Sequence, residues 1–95
     1  MDIRYYVDPV TGEPHIYEHG IAEDEAEYVL RHPGEDLPAR DGARQVLGQT
    51  AAGRYIRVIY VADPEPGSVF AITAYELDGK PLQAYRRRKR RRRRK

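Results

Sequence analysis

The sequence predicts an α+β domain, a small antiparallel sheet of about four strands covered by helices. Three observations carry this. Residues 53 to 62 (GRYIRVIYVA) and 69 to 76 (VFAITAYE) are dense in β-branched and aromatic residues and flank the turn-rich ADPEPGS, the pattern of a hairpin. Residues 21 to 31 place Ala22, Ala26, Val29 and Leu30 at the spacing of one buried helical face. At 95 residues the chain has room for one domain with a small core.

Ile3 to Val7 (IRYYV) reads as a short first strand, and Asp8-Pro9 with Thr11-Gly12 marks a turn. Pro14 to Gly20 suits one helical turn closed by Gly20 in a left-handed conformation. The helix over 21 to 31 follows. Glu23, Asp24 and Glu25 sit in its first turn, where the dipole favours acids, and Pro33-Gly34 stops it. Glu35 to Gly42 reads as a polar connection with no strong local preference. Ala43 to Gln49 is a strand, and Thr50 to Gly53 a tight loop with Gly53 left-handed. After the main hairpin, Asp78-Gly79 is a turn. Pro81 suits the first position of a helix running through Leu82, Ala84 and Tyr85 into the C-terminal segment.

Charge divides the chain sharply. Residues 86 to 95 (RRRKRRRRRK) hold ten of the 17 basic residues. The body, 1 to 85, carries the other seven against all 15 acids, a net charge of −8. A run of ten cations repels itself, so the tail is expected to be disordered toward its end. If it neutralises phosphates, its binding is salt-sensitive and indifferent to sequence. The plain alternative is a solvated appendage, or one folded against the acidic body. No apolar run approaches a membrane span and no secretory signal is visible. The absence of cysteine excludes a disulfide framework and fits a cytoplasmic protein.

Strand alternation sets Arg54, Ile56, Val58 and Tyr60 on one face and Tyr55, Arg57, Ile59 and Val61 on the other. Burying an unpaired guanidinium is costly, so each arginine either reaches water at a sheet margin or is displayed to an anion. No metal site and no cofactor are expected. The one i,i+4 histidine pair, His15 and His19, lacks a clear third ligand.

The run HGIAEDEAEYVLRHP, then LGQTAAGRYIRVIYV, then FAITAYEL, then a basic C-terminal helix resembles the BrnT-like toxins and a related small domain family. Both belong to the RelE-like group of type II toxin–antitoxin ribonucleases. The resemblance covers about residues 15 to 90 and rests on the order of the pieces. His19-Gly20, Leu47-Gly48, Gly53-Arg54, Tyr60 and Ile72-Thr73-Ala74 match family positions. Tyr75 stands where the family usually has arginine, and Glu18 where it commonly has lysine.

What the resemblance implies is RNA cleavage without metal, in which the ribose 2′-OH attacks the adjacent phosphate. Arg54 and Arg57 are the candidates for holding phosphate, His19 or Glu18 for the base, and Tyr75 or Tyr85 for proton donation or stacking. Arg86, Arg87, Arg88, Lys89 and Arg90, with Tyr85, are the candidates for further nucleic-acid contact. Each has a structural counterpart. Arg54 can be solvated beside its turn, Arg57 can pair with Glu76 across the hairpin, His19 can cap carbonyls, and Tyr75 can pack as a cross-strand aromatic. Two function classes follow: a RelE-like ribonuclease neutralised by an antitoxin protein, or a non-catalytic domain tethered to nucleic acid or ribosomes by its tail.

Overall fold

A computed structural model describes residues 1 to 93. Its strands are β1 (Asp2–Tyr5), β2 (Glu35–Pro38), β3 (Arg44–Gln49), β4 (Tyr55–Ala62) and β5 (Ser68–Glu76). Its helices are α1 (Glu23–Arg31) and α2 (Gly79–Arg93), and 3₁₀ turns lie at His15–His19 and Arg40–Gly42. All five strands form one sheet in the order β1-β5-β4-β3-β2. The α+β class stands, but the sheet has five strands rather than four and is mixed, because β1 runs parallel to β5.

The extra strand is β2, inside the segment expected to be a polar connection. It pairs antiparallel with β3, Glu35 opposite Leu47 and Pro38 opposite Arg44. Ala39 N–H donates to Ala43 O (2.8 Å) to close the hairpin. Its turn places Asp41 and Gly42 at φ 56° and 78°, a conformation that aspartate and glycine tolerate. Proline at the strand's end is allowed because β2 is an edge.

One face of the sheet packs on α1. Val46, Ile56, Val58, Ala71 and Ala74 meet Ala26, Val29 and Leu30 of the helix, with Ile16 and Ile21 closing the cluster. A cross-strand irregularity pairs Tyr60 with Ala71 and Ile59 with Thr73, so Ile72 is the extra residue of a bulge. It explains why Ala71 and Ala74, three apart, both face inward. At Gly48, Val29 sits so close that an added Cβ would lie 3.0 Å from its Cγ1.

The opposite face is only part-covered. There α2 lays Tyr85 and Leu82 over Leu47, Leu77 and Tyr55. The basic segment from Arg86 continues this helix through Arg93; residues 94 and 95, part of the tail end expected to be disordered, lie outside the described residues. The rest of this face, the middle of β4 and β5, carries the candidate site.

Candidate nucleic-acid interface

The two arginines of the central hairpin have opposite fates. Arg54 turns toward α1, where its Nη1 donates to Gly20 O (2.8 Å) and to Glu25 Oε1 (3.2 Å). Its Nε lies 3.5 Å from Glu76 Oε2. Glu25 in turn accepts from Ala22 N–H (3.0 Å) at the start of α1, so Arg54 ties the helix end to the sheet. Arg54 is thereby a structural residue, a correction to its expected role on phosphate.

Arg57 lies opposite Tyr75 in the β4–β5 register, while Glu76 lies opposite Ile56 and belongs to the other face. The Arg57–Glu76 pairing considered from sequence therefore does not form. Instead Arg57 Nη1 donates to Tyr75 Oη (3.0 Å), and its guanidinium carbon is 5.5 Å from that ring's centroid. No carboxylate pairs with Arg57 among the described residues, and its buried Nε has no partner. An unsatisfied buried donor costs about 1–3 kcal/mol, a cost that asks for a reason. Thr73 Oγ1, two residues from Tyr75, is likewise buried without a partner.

His19 closes the 3₁₀ turn beside β5, its ring 5.9 Å from that of Tyr75. Three of the four predicted catalytic residues, His19, Tyr75 and Arg57, thus stand in one row, and Arg54 leaves it. Glu18, the alternative base, instead approaches His15 at 3.3 Å. Beside the row is an open recess of about 570 Å³ lined by Ala39, Arg40, Gln45, Arg57, Ile59 and Tyr75. A recess of similar volume near β1 is lined by Asp2, Arg4, Asp63 and Glu65, with Arg4 held 2.8 Å from Asp63. Its acids make it the poorer place for a polyanion.

The predicted nucleic-acid residues of α2 also divide. Tyr85 is 1% exposed, with its Oη against Gly34 and its ring 6.0 Å from that of Tyr55. Burial, and then the charge of Glu35, push its phenol above the usual range. It cannot stack on a base, so it leaves the set. Arg88 makes two bonds to Glu35 (2.7 and 2.8 Å) and Arg92 adds a third (2.8 Å). Hydrogen bonding from Arg88 leads the causes that hold Glu35, its side chain 6% exposed, below the ordinary carboxylate range. Arg88, expected on nucleic acid, is thereby an anchor of the helix.

Arg86, Arg87 and Arg90 remain exposed on α2. Arg86 and Lys89 each approach the Tyr55 ring to 5.8 Å, and Lys89 Nζ donates to Gln49 Oε1 (3.2 Å). These residues with Arg90 line a groove of about 310 Å³. Tyr55 and Arg57 are two apart on one strand and so project from the same face, about 7 Å from each other along it. The groove under α2 and the recess at Arg57 therefore belong to one face. Sequence reasoning placed Tyr55 beside Arg57 by alternation but did not assign it to the interface, and it missed Arg40 and Gln45, which only the β2–β3 hairpin brings in. No known family model matches this chain, and no curated protein matches it.

Proposed function

We propose that the chain is a RelE-like, toxin-type ribonuclease domain that holds single-stranded RNA across the open sheet face beside α2 and cleaves it without metal. The observation that carries this reading is Arg57, a mid-sheet guanidinium with no carboxylate partner among the described residues, bonded to a tyrosine hydroxyl at the edge of a recess. In the reaction, the ribose 2′-oxygen forms a bond to the neighbouring phosphorus and the 5′-oxygen leaves, giving a 2′,3′-cyclic phosphate and a 5′-hydroxyl. His19 takes the 2′-OH proton. Because Tyr75 Oη accepts from Arg57, its own proton is free to pass to the leaving oxygen. Arg57 offsets the charge that grows on the phosphorane. An antitoxin partner neutralises such a domain by covering this face.

A second reading, RNA binding without cleavage, is favoured by Arg86 and Lys89 both approaching the Tyr55 ring, the cation-and-aromatic pattern that holds single strands without reading sequence. One experiment separates them. Single-stranded RNA is incubated with the chain in EDTA, and the ends of the products are identified. The expected result is cyclic-phosphate ends, with Arg57→Ala lowering the rate about 10²- to 10³-fold. Intact RNA that remains bound decides for the second reading, and RNA neither bound nor cut overturns both.

A further inference from the structure

We propose that Asp8, His15 and Glu18 form a binding site for one divalent, zinc-type cation, next to His19, whose ring lies 5.5 Å from that of His15. Among the described residues, these three bring one donor atom each to within 4.8 Å of one another. His15 Nδ1 lies 3.4 Å from Asp8 Oδ2 and 3.3 Å from Glu18 Oε2.

Those two distances favour a metal over an ordinary ion pair. A good N–H···O bond is about 2.9 Å long, and a single Nδ1–H cannot serve two carboxylates well. A tetrahedron with metal–ligand bonds of about 2.0–2.1 Å has ligand-to-ligand edges of about 3.3–3.4 Å. The two spacings from His15 match such edges, and the third, between Asp8 and Glu18, is within 4.8 Å. Two carboxylates converging on one imidazole nitrogen also repel each other, and a cation of charge +2 reverses that repulsion.

The ligands are held in place by the local fold. Asp8 Oδ1 accepts from Val10 N–H (2.8 Å), which leaves Oδ2 for His15. Asp8 N–H donates to Glu13 O (2.9 Å), Gly12 N–H donates to Asp8 O (2.8 Å), and a bridge joins Val7 to Pro14. Asp8 and His15 thus flank a closed loop, and Glu18 follows His15 by three residues in the 3₁₀ turn, where i and i+3 eclipse. One imidazole with two carboxylates suits zinc and leaves the fourth position to water, whereas Mg²⁺ and Ca²⁺ prefer all-oxygen sets. Bound there, the cation clips the loop of residues 8 to 14 to the turn that carries His19.

The test is calorimetric titration of the full chain, without a histidine tag, with ZnCl₂ in a non-chelating buffer. One site of micromolar affinity is expected, with Asp8→Asn and Glu18→Gln each weakening it about tenfold or more and His32→Ala leaving it unchanged. Asparagine retains the acceptor for Val10, so the loop persists in that variant. Titration with Co²⁺ is a second measurement that needs no variant. The intense visible absorption of a tetrahedral centre, displaced by Zn²⁺ but not by Mg²⁺, supports the site. Binding weaker than about 1 mM, binding indifferent to both carboxylate substitutions, or a weak octahedral Co²⁺ spectrum overturns it.

Discussion

Arg54 and Arg57 differ in what they meet, and their substitutions separate accordingly. Arg54, with its side chain 29% exposed, bonds Gly20 O and Glu25 and lies near Glu76. Arg54→Ala is expected to cost about 1 kcal/mol, read as a fall of about 4–8 °C in Tm, while RNA affinity is unchanged. Arg57→Ala reverses the pattern. It removes an unsatisfied buried donor, so Tm holds or rises, while the RNA-dependent signal falls. Equal loss of stability in both variants contradicts this assignment. Alternation along the strand was enough to place the two arginines on opposite faces. Which face held the carboxylates was not legible, because Glu25 lies 29 residues from Arg54 and meets it only through the docking of α1.

Helix α2 is held by a carboxylate that local sequence reading takes for a loop residue. Glu35 sits 53 residues from Arg88 and 57 from Arg92, and nothing near it in sequence explains its burial. Arg88→Ala alone leaves Arg92 in place and is expected to be mild. The Arg88→Ala/Arg92→Ala pair strands a buried carboxylate and costs up to about 3 kcal/mol, limited by undocking of the helix, with lost helical circular dichroism as the readout. The pH dependence has a definite sign. The folded state lowers the pKa of Glu35, so its contribution is complete above the ordinary carboxylate range and disappears as pH falls through the lowered value. The stability gap between the native chain and Glu35→Gln therefore narrows below about pH 5, and a gap constant down to acid unfolding contradicts the pairing. The helix over 21 to 31, the turn closed by Gly20 and the main hairpin were legible from periodicity and turn chemistry. Strand β2 was not, since four residues ending in proline show little alternation. Asp41-Gly42 was the available signal, a strong hairpin-turn dipeptide. The parallel pairing of β1 with β5 leaves no local trace, because it depends on where a distant strand comes to rest.

At the scale of the molecule, an acidic body carries a basic helix across the end of one sheet face and leaves the middle of that face open. The charge division was plain in the sequence, but its geometry was not, because Arg88 and Arg92 turn onto Glu35 while Arg86, Arg87 and Arg90 stay exposed. On the proposed reading, the salt-dependent part of RNA binding rests on the cations that point away from Glu35. Removing two of them with Arg86→Ala/Arg90→Ala is expected to reduce the slope of log affinity against log salt by about 1.4, with little change in Tm. The most direct test of the proposed RNA face is an amide and side-chain NMR titration with a 2′-O-methyl oligonucleotide, which lacks the 2′-OH that the proposed cleavage needs. The largest shifts are predicted at Tyr55, Arg57 and Tyr75 together with Arg86 and Arg90. Shifts confined to the outward face of α2, with Arg57 and Tyr75 unmoved at saturation, would contradict the account.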